Sequence, residues 1–451
     1  MRARSSIARL LSSSAGAILL GVASACASET TRRLYPDLPP VETARAAGYE
    51  TPPQQRASDL LPEALLSGPH HRVEEVVASD GFRNIYTVTA DFGSFEAYGD
   101  DLLDIRIGEI EALAALREKS KTREFASAAA AALKSPFVAT WNLITDPVDT
   151  ITGLPVGVWE TVKRTSRVVR GKRGELEGSA LGEIFGFEAV KRQLAYQLGV
   201  DPYSSNKWLQ RELNRFAWAS YAGGLPGKFV PFRKGTSVTD TPEPTLLRAG
   251  ERLNEILRHF SPEDLGRLNR IELAVMGVRE EPRDAFIHHP WYSLRHETVL
   301  VGSLSVLDLT ENRTVFIETA LGAASEEDAL FYQRSAELIR AYHEESTPIG
   351  SMVSVRPAVA GYTESQILVI PLVVDHVIWS EPVARFVRDL RDRVPAELEI
   401  QETELLLSGT ASERARRELG DLGFRLTENA FEHLRQSHSE TARGDEPEHG
   451  S

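Results

Sequence analysis

The stretch Ile367–Val374, with the sequence ILVIPLVV, decides the fold at the C-terminal end of the chain. Apolar, mostly β-branched residues in one unbroken run are typical of a buried strand. Shorter runs of the same kind lie at Met352–Val355 and Val377–Trp379, and the segment Glu381–Val394 between strand patterns predicts a helix. Strands that alternate with helices predict a small α/β domain over residues 349–436.

Helical patterns dominate the chain on the N-terminal side of this unit. Ser261 is followed by Pro262, and Ser325 is followed by three acidic residues, which are two typical starts of a helix. We therefore predict a helical domain over residues 176–348. The resulting fold class is α+β and mainly helical.

A small hairpin is predicted further toward the N-terminus. Ile85–Thr89 and Phe95–Tyr98 are strand-like runs on either side of a turn at Gly93, and a helix is predicted to start at Asp100 or Asp101 as its cap. This hairpin opens a region of hairpin and apolar helices over residues 76–175.

Residues 123–170 are rich in alanine and end in a basic run. Small apolar helices with a basic end are typical of segments that lie on a membrane surface. The alternative is a pair of closely packed core helices, because most apolar helix faces are buried. The sequence leaves both interpretations open.

The first 25 residues have the pattern of a secretory signal peptide. Three arginines precede the apolar run Leu10–Val22, and small residues follow up to Ala25. The next residue, Cys26, is the single cysteine of the chain. Either it follows an ordinary cleavage site, or it is the lipid attachment site of a lipoprotein of the outer membrane. The proline-rich residues 26–75 predict a disordered tether, and residues 437–451 predict a disordered tail.

Composition excludes several classes of protein. The net charge of −14 argues against a nucleic-acid-binding protein, which needs a basic surface. One cysteine cannot form a disulfide within the chain, nor a thiolate zinc site or an iron–sulfur cluster. We therefore predict no cofactor and no nucleic-acid partner.

The candidates for chemistry are few. No zincin helix, nucleophile elbow or phosphate-binding loop is present in the sequence. The best histidine cluster is His288, His289 and His296, which predicts at most a weak metal site, with His376 as a fourth ligand. Asp375 and His376 at the end of a strand are the weak catalytic candidates, although neighbouring residues on a strand point to opposite faces.

Three stretches together resemble an uncharacterised group of exported proteobacterial proteins. They are Asn142–Val148 with Gly153–Gly157, then Gly199–Asn206 with Leu209 and Gln210, and finally Asp375 and His376 with Trp379. The resemblance covers residues 75–430. The group has no assigned activity, so the resemblance implies no catalytic residue.

Three functions follow as expectations. The first is a non-enzymatic, lipid-anchored or periplasmic binding or scaffold protein, whose partner is an envelope protein or the membrane surface. The second is a hydrolase that uses histidine and carboxylate, with or without a metal ion. The third is a membrane-active protein that acts through residues 123–170.

Overall fold

A computed structural model describes residues 48–133, 180–221, 260–307 and 309–435. Several predicted segments lie outside these residues. They are the signal peptide at 1–25, the lipid site Cys26, most of the alanine-rich and basic segment, and the tail at 437–451.

The N-terminal part forms a curled, antiparallel five-stranded sheet. Its strands are β1 (Gln55–Arg56), β2 (His71–Val73), β3 (Val76–Ser79), β4 (Asn84–Ala90) and β5 (Gly93–Tyr98). The hairpin of β4 and β5 is confirmed, with Ile85 opposite Tyr98 and Ala90 opposite Gly93. The other edge of β4 is shared by β2 and β3, which accounts for the curl of the sheet.

The predicted tether at 26–75 is wrong for its second half. Besides β1 and β2, this part contains two single-turn helices, α1 (Ala57–Leu60) and α2 (Glu63–Leu66). Pro62 is the N-cap of α2, and Ala57 is fully buried. The prolines here lie between short strands and single-turn helices. Elements this short leave no sustained periodicity in the sequence, so the segment resembles a disordered one.

In the described residues up to 221, four helices follow the first sheet. They are α3 (Asp100–Ser120), α4 (Arg123–Leu133), α5 (Ala180–Leu198) and α6 (Lys207–Tyr221). Phe125 and Ala128 of α4 are buried against α6, with the Phe125 and Phe216 rings 4.3 Å apart. The start of the alanine-rich segment therefore packs in a core, as the second interpretation of that segment expected.

In the part described from residue 260 onward, five more helices lead to the second sheet. They are α7 (Pro262–Val275), α8 (Glu280–Ile287), α9 (Leu294–Ser305), α10 (Thr314–Ala320) and α11 (Glu326–Glu345). Ser261 and Ser325 are the N-caps of α7 and α11, as predicted, and each side chain accepts a backbone N–H three residues later. None of the helices in the described ranges is long and apolar enough to cross a membrane.

The C-terminal part contains a mixed five-stranded sheet in the order β12-β10-β8-β7-β6. Its strands are β6 (Ile349–Val355), β7 (Ala358–Thr363), β8 (Ile367–Leu372), β10 (Glu402–Leu407) and β12 (Phe424–Thr427). A separate parallel pair is formed by β9 (His376–Val377) and β11 (Thr410–Ala411), and the helices are α12 (Glu381–Asp392) and α13 (Glu413–Asp421). The strand Ile367–Leu372 lies at the centre, as its apolar sequence predicts.

The prediction of a mainly helical fold is wrong. Helices hold 52% and strands 19% of the described residues, and two five-stranded sheets make this a mixed α/β protein. The strands were undercounted because most are short. In addition, half of the six residues of β7 (AVAGYT), two alanines and a glycine, have weak strand preference.

The two sheets are joined by main-chain hydrogen bonds. The Asp375 and His376 amides both donate to the Phe82 carbonyl, at 2.9 and 3.2 Å, and the Ile378 amide donates to Gly81 at 2.8 Å. The fully buried Phe82 ring packs in the core of the C-terminal sheet, with its centroid 5.1 Å from that of Phe386. The segment 375–378, which follows β8, and the turn before β4 therefore lie side by side.

Candidate functional site

A cleft of about 280 Å³ opens where the two sheets meet the start of α11. Arg83 and Tyr98 of the first sheet form one wall, and Trp291, just before α9, forms another. The third wall is the N-terminus of α11, from Ala324 to Asp328. Ligand pockets in proteins usually measure roughly 300–1,000 Å³, so this cleft suits a small molecule.

The inner end of the cleft narrows to about 30 Å³, room for about one water molecule. Asp101, Asp375 and Ser408 line this end, which shares Arg83, Tyr98 and Glu327 with the wider part. The Ser408 hydroxyl already donates to the Val374 carbonyl and accepts from the Val374 amide, each at 2.7 Å.

Asp375 holds the start of α3. One carboxylate oxygen accepts the Asn84 amide at 2.7 Å, and the other accepts the Asp100 amide at 3.1 Å. The N-cap residue itself is Gly99, which has a φ of 97° and makes no side-chain cap. The sequence predicted Asp100 or Asp101 as the cap; instead both are helical, and Asp375 supplies the acceptor from the second sheet.

A polar network lies behind this contact. The Tyr86 hydroxyl donates to the Asp100 carboxylate at 2.6 Å, and the Asn84 side chain donates to the same oxygen at 3.2 Å. Burial raises the pKa of Asp100, and burial together with the neighbouring Asp100 raises the pKa of Asp375 well above its usual range. The negative charge of Asp100 disfavours ionisation of Asp375, so the two carboxyl groups do not both ionise easily.

Two arginines neutralise the acidic residues on the helix side of the cleft. Arg334 makes a bidentate pair with Asp101, with both contacts at 2.8 Å. Burial raises the pKa of Asp101, but the charge of Arg334 outweighs it, and the net pKa is lowered. Arg106 pairs with Glu326 through one nitrogen, Nη2, and with Glu109 through the other, Nη1, at 2.8 Å.

Two side chains on the cleft wall, Glu327 and Trp291, have polar or aromatic groups without a partner among the described residues. The Glu327 carboxylate has no hydrogen bond or ion pair within the described part of the chain, although it lines both ends of the cleft. Trp291 is 43% exposed, and its ring meets no other aromatic ring or cation of the described residues. These two groups are therefore available to a ligand.

The predicted metal ligands do not come together. The His296 side chain completes the cap of α9, since its amide donates to Ser293 Oγ at 3.3 Å and its Nδ1 accepts the Ser293 amide at 3.5 Å. His288 Nδ1 lies 2.7 Å from the Asp284 carbonyl. The His289 ring packs on Tyr292, with centroids 5.1 Å apart. No group of three histidine, cysteine, aspartate or glutamate side chains in the described ranges is arranged to hold a metal ion.

The side chains of His376 and Asp375, the two catalytic candidates of the sequence, have different partners. Its Nδ1 is 2.7 Å from Thr410 Oγ1, across the parallel pair of β9 and β11. Burial, and then the charge of Arg416, lowers the pKa of His376. The two side chains point to different neighbours, as expected for adjacent residues of an extended strand.

Sequence reasoning found Asp375 but missed the rest of the cleft. Arg83, Tyr98, Trp291 and Glu327 belong to no motif, and they come from two distant segments of the chain, 83–98 and 291–327. One signal was present. The acidic first turns of α3 (Asp100 and Asp101) and α11 (Glu326 to Asp328) are predicted from the sequence as helix starts, and side chains from both starts line the cleft.

Comparison with protein-family models, with curated proteins and with solved structures finds no match for this chain. The resemblance to exported proteobacterial proteins stays a prediction. Two of its three stretches have structural roles. Asp375 caps α3, and Asn206 caps α6 while its side-chain amide donates to Glu109 at 2.9 Å.

Proposed function

We propose that this protein is a non-enzymatic binding protein of the bacterial cell envelope, and that the cleft beside α11 binds a small solute. One observation carries the proposal. Trp291 and Glu327 present open surfaces to a cleft of about 280 Å³, while the polar groups beneath them are held by the fold.

Binding is favoured over catalysis because the candidate catalytic groups already have structural partners. Both oxygens of Asp375 accept main-chain hydrogen bonds, and His376 faces Thr410. A general base needs to reach the proton that it removes. Neither group is arranged to do so in the cleft.

A hydrolase is the second candidate, because Asp375 lines the narrow end of the cleft and its pKa is raised. A protonated carboxyl beside a water-sized space is one half of an acid–base site. The serine at the same place, Ser408, has its hydroxyl bonded to Val374 in both directions, so no activated nucleophile accompanies the acid.

A ligand panel tests the proposed function. We would measure binding of glucose, N-acetylglucosamine, phosphate, citrate, agmatine and putrescine to the purified protein by titration calorimetry. At least one solute is expected to bind the wild type, and Trp291→Ala is expected to abolish or weaken its binding. Trp208→Ala is the matched control, because Trp208 is 45% exposed and lies on α6 away from the cleft. Absence of binding by all six solutes contradicts the function.

The location in the envelope is a proposal that the sequence supports. The signal-like residues 1–25 and the single Cys26 at their end favour lipid attachment. Labelling cells with a radioactive fatty acid is expected to mark the wild type but not Cys26→Ser, while Ser28→Ala stays labelled. Export of an unlabelled wild type would contradict lipid attachment and leave a periplasmic protein.

A further inference from the structure

We propose that the solute bound in the cleft is a small organic cation, with an ammonium or guanidinium group held between Glu327 and Trp291. This inference rests on the proposed binding function and names its ligand class. It is carried by the charges, the aromatic surface and the size of the cleft.

Each arginine at the wall of the cleft is paired with a carboxylate, and acidic side chains are left over. Arg83 lies beside Asp80, with 3.4 Å between their charged atoms, and the Arg334 and Arg106 guanidinium groups are taken by Asp101 and Glu326. These pairs leave the cleft with no net positive charge. A ligand anion would therefore have to displace a carboxylate from one of these arginines.

Glu327 and Asp328 supply the negative charge that remains. Asp328 accepts the Ala324 amide at 2.9 Å, and Glu327 has no partner among the described residues. Both belong to the first turn of α11, whose dipole is equivalent to about half a positive charge. The dipole stabilises the two carboxylates as anions, but it does not cancel them, so the cleft has a net attraction for a cation.

The aromatic surface fits the same ligand. A cation over the face of tryptophan gains about 0.5–2 kcal/mol by the cation–π interaction. The Tyr98 face already has the Arg83 guanidinium 5.9 Å from its centroid, which leaves Trp291 as the open aromatic face. A cation thus has a carboxylate and an indole ring on the walls of one cleft.

The size of the cleft sets the scale of the ligand. About 280 Å³ is just below the usual range for drug-sized molecules, so an amine or guanidine of a few carbon atoms fits, and a folded partner does not enter.

Calorimetry with three probes at low salt tests the inference. Agmatine is expected to bind the wild type, and inorganic phosphate and glucose are not. Glu327→Gln removes the charge and is expected to weaken agmatine binding by about ten-fold or more, as for loss of a charged hydrogen-bond partner. Trp291→Ala is expected to weaken it by about two- to thirty-fold. Raising the salt concentration is expected to weaken binding further by screening.

The controls are matched to the two variants. Glu263 occupies in α7 the helical position that Glu327 occupies in α11, two residues after a capping serine, and it lies outside the cleft. Glu263→Gln and Trp208→Ala should bind agmatine within two-fold of the wild type. Equal binding by Glu327→Gln and the wild type overturns the inference. If glucose or phosphate binds in a way that depends on Trp291, the proposed binding function is supported, but the proposal that the ligand is a cation is contradicted. If no solute of the six-member panel binds, both proposals are contradicted.

Discussion

Asp375 shows at the residue scale how a single carboxylate joins distant parts of the chain. Its two carboxylate oxygens accept hydrogen bonds from the Asn84 amide, at the start of β4, and from the Asp100 amide, at the start of α3. The bonds span 291 and 275 residues of sequence. An acceptor this far away cannot be found from local patterns, which is why the sequence placed the cap at Asp100 or Asp101.

Replacing Asp375 with asparagine should destabilise the protein. The amide offers one acceptor oxygen, so one of the two backbone N–H groups would face an NH₂ group. We expect a loss of about 1–3 kcal/mol in the free energy of unfolding, measured in urea. Asp389→Asn, at an exposed position of α12, is the control and should change stability by less than about 0.5 kcal/mol. We call the two hydrogen bonds of the Asp375 carboxylate the Asp375 clamp. Equal stability of the two variants would show that this clamp contributes little to the free energy of unfolding.

Glu297 is a buried acid with an unusual environment. Its side chain is 4% exposed, and one carboxylate oxygen has no hydrogen bond within the described residues. Burial raises its pKa well above the usual range, against a smaller lowering effect of a hydrogen bond from Asn269. The folded protein therefore holds this proton more tightly than the unfolded chain.

The stability of Glu297→Gln relative to the wild type should rise with pH. Because the folded pKa is raised, the contribution of Glu297 is complete below the unfolded pKa, near 4.5, and is lost as pH rises toward the folded pKa. The difference between variant and wild type should grow by up to about 1.4 kcal/mol per pH unit in this interval. Urea unfolding from pH 4 to pH 8 measures it. The free energy of unfolding of the control variant Glu263→Gln should change with pH in the same way as that of the wild type. A difference in stability between Glu297→Gln and the wild type that does not change with pH would contradict the raised pKa of Glu297.

At the scale of elements, the local sequence predicted best what local interactions determine. The caps Ser261 and Ser325, and the hairpin of β4 and β5, depend on residues within a few positions of each other. The prediction of a disordered tether is wrong for the opposite reason, because the elements found there depend on residues further along the chain. β1 is stable because it pairs with β3, whose residues Val76 and Val77 follow twenty positions later, and prolines alone do not reveal such a partner.

Ser293 combines a local cap with a contact between elements. Its hydroxyl accepts the His296 amide and donates to the Asp201 carboxylate at 3.0 Å. Asp201 belongs to the loop between α5 and α6, so this bond ties that helix pair to α9. The same loop contains the second stretch of the resemblance, Gly199–Asn206.

Ser293→Ala should cost more than loss of a cap alone. A lost N-cap costs about 1 kcal/mol, and the missing hydrogen bond to the Asp201 side chain should add about 1 kcal/mol or more. Ser261→Ala is the comparison, because the Ser261 hydroxyl bonds only within its own helix start, to Asp264. Urea unfolding of both variants measures the difference. Equal losses would mean that the bond to Asp201 contributes nothing to stability.

At the scale of the whole molecule, the cleft exists because two separately patterned units meet. The sequence predicts the hairpin and the C-terminal α/β unit but not their contact, since the contact consists of main-chain bonds, a turn phenylalanine and the long-range hydrogen bonds of Asp375. Arg83 and Asn84, next to that phenylalanine, then reach the cleft and the Asp375 clamp. The site is therefore a consequence of the interface between the sheets.

The two sheets should unfold together because Phe82 belongs to the core of the second sheet while its neighbours pair in the first. Phe82→Ala leaves a cavity in that core, and we expect a loss of about 3–5 kcal/mol. Protection from hydrogen exchange should then fall by about two to three and a half powers of ten, by the same factor for amides of β4, β8 and β10. Val88→Ala is the control, since Val88 is buried in the first core only. If Phe82→Ala reduces protection in β4 but leaves β8 and β10 unchanged, the N-terminal sheet opens independently, and the cleft between the units would open with it.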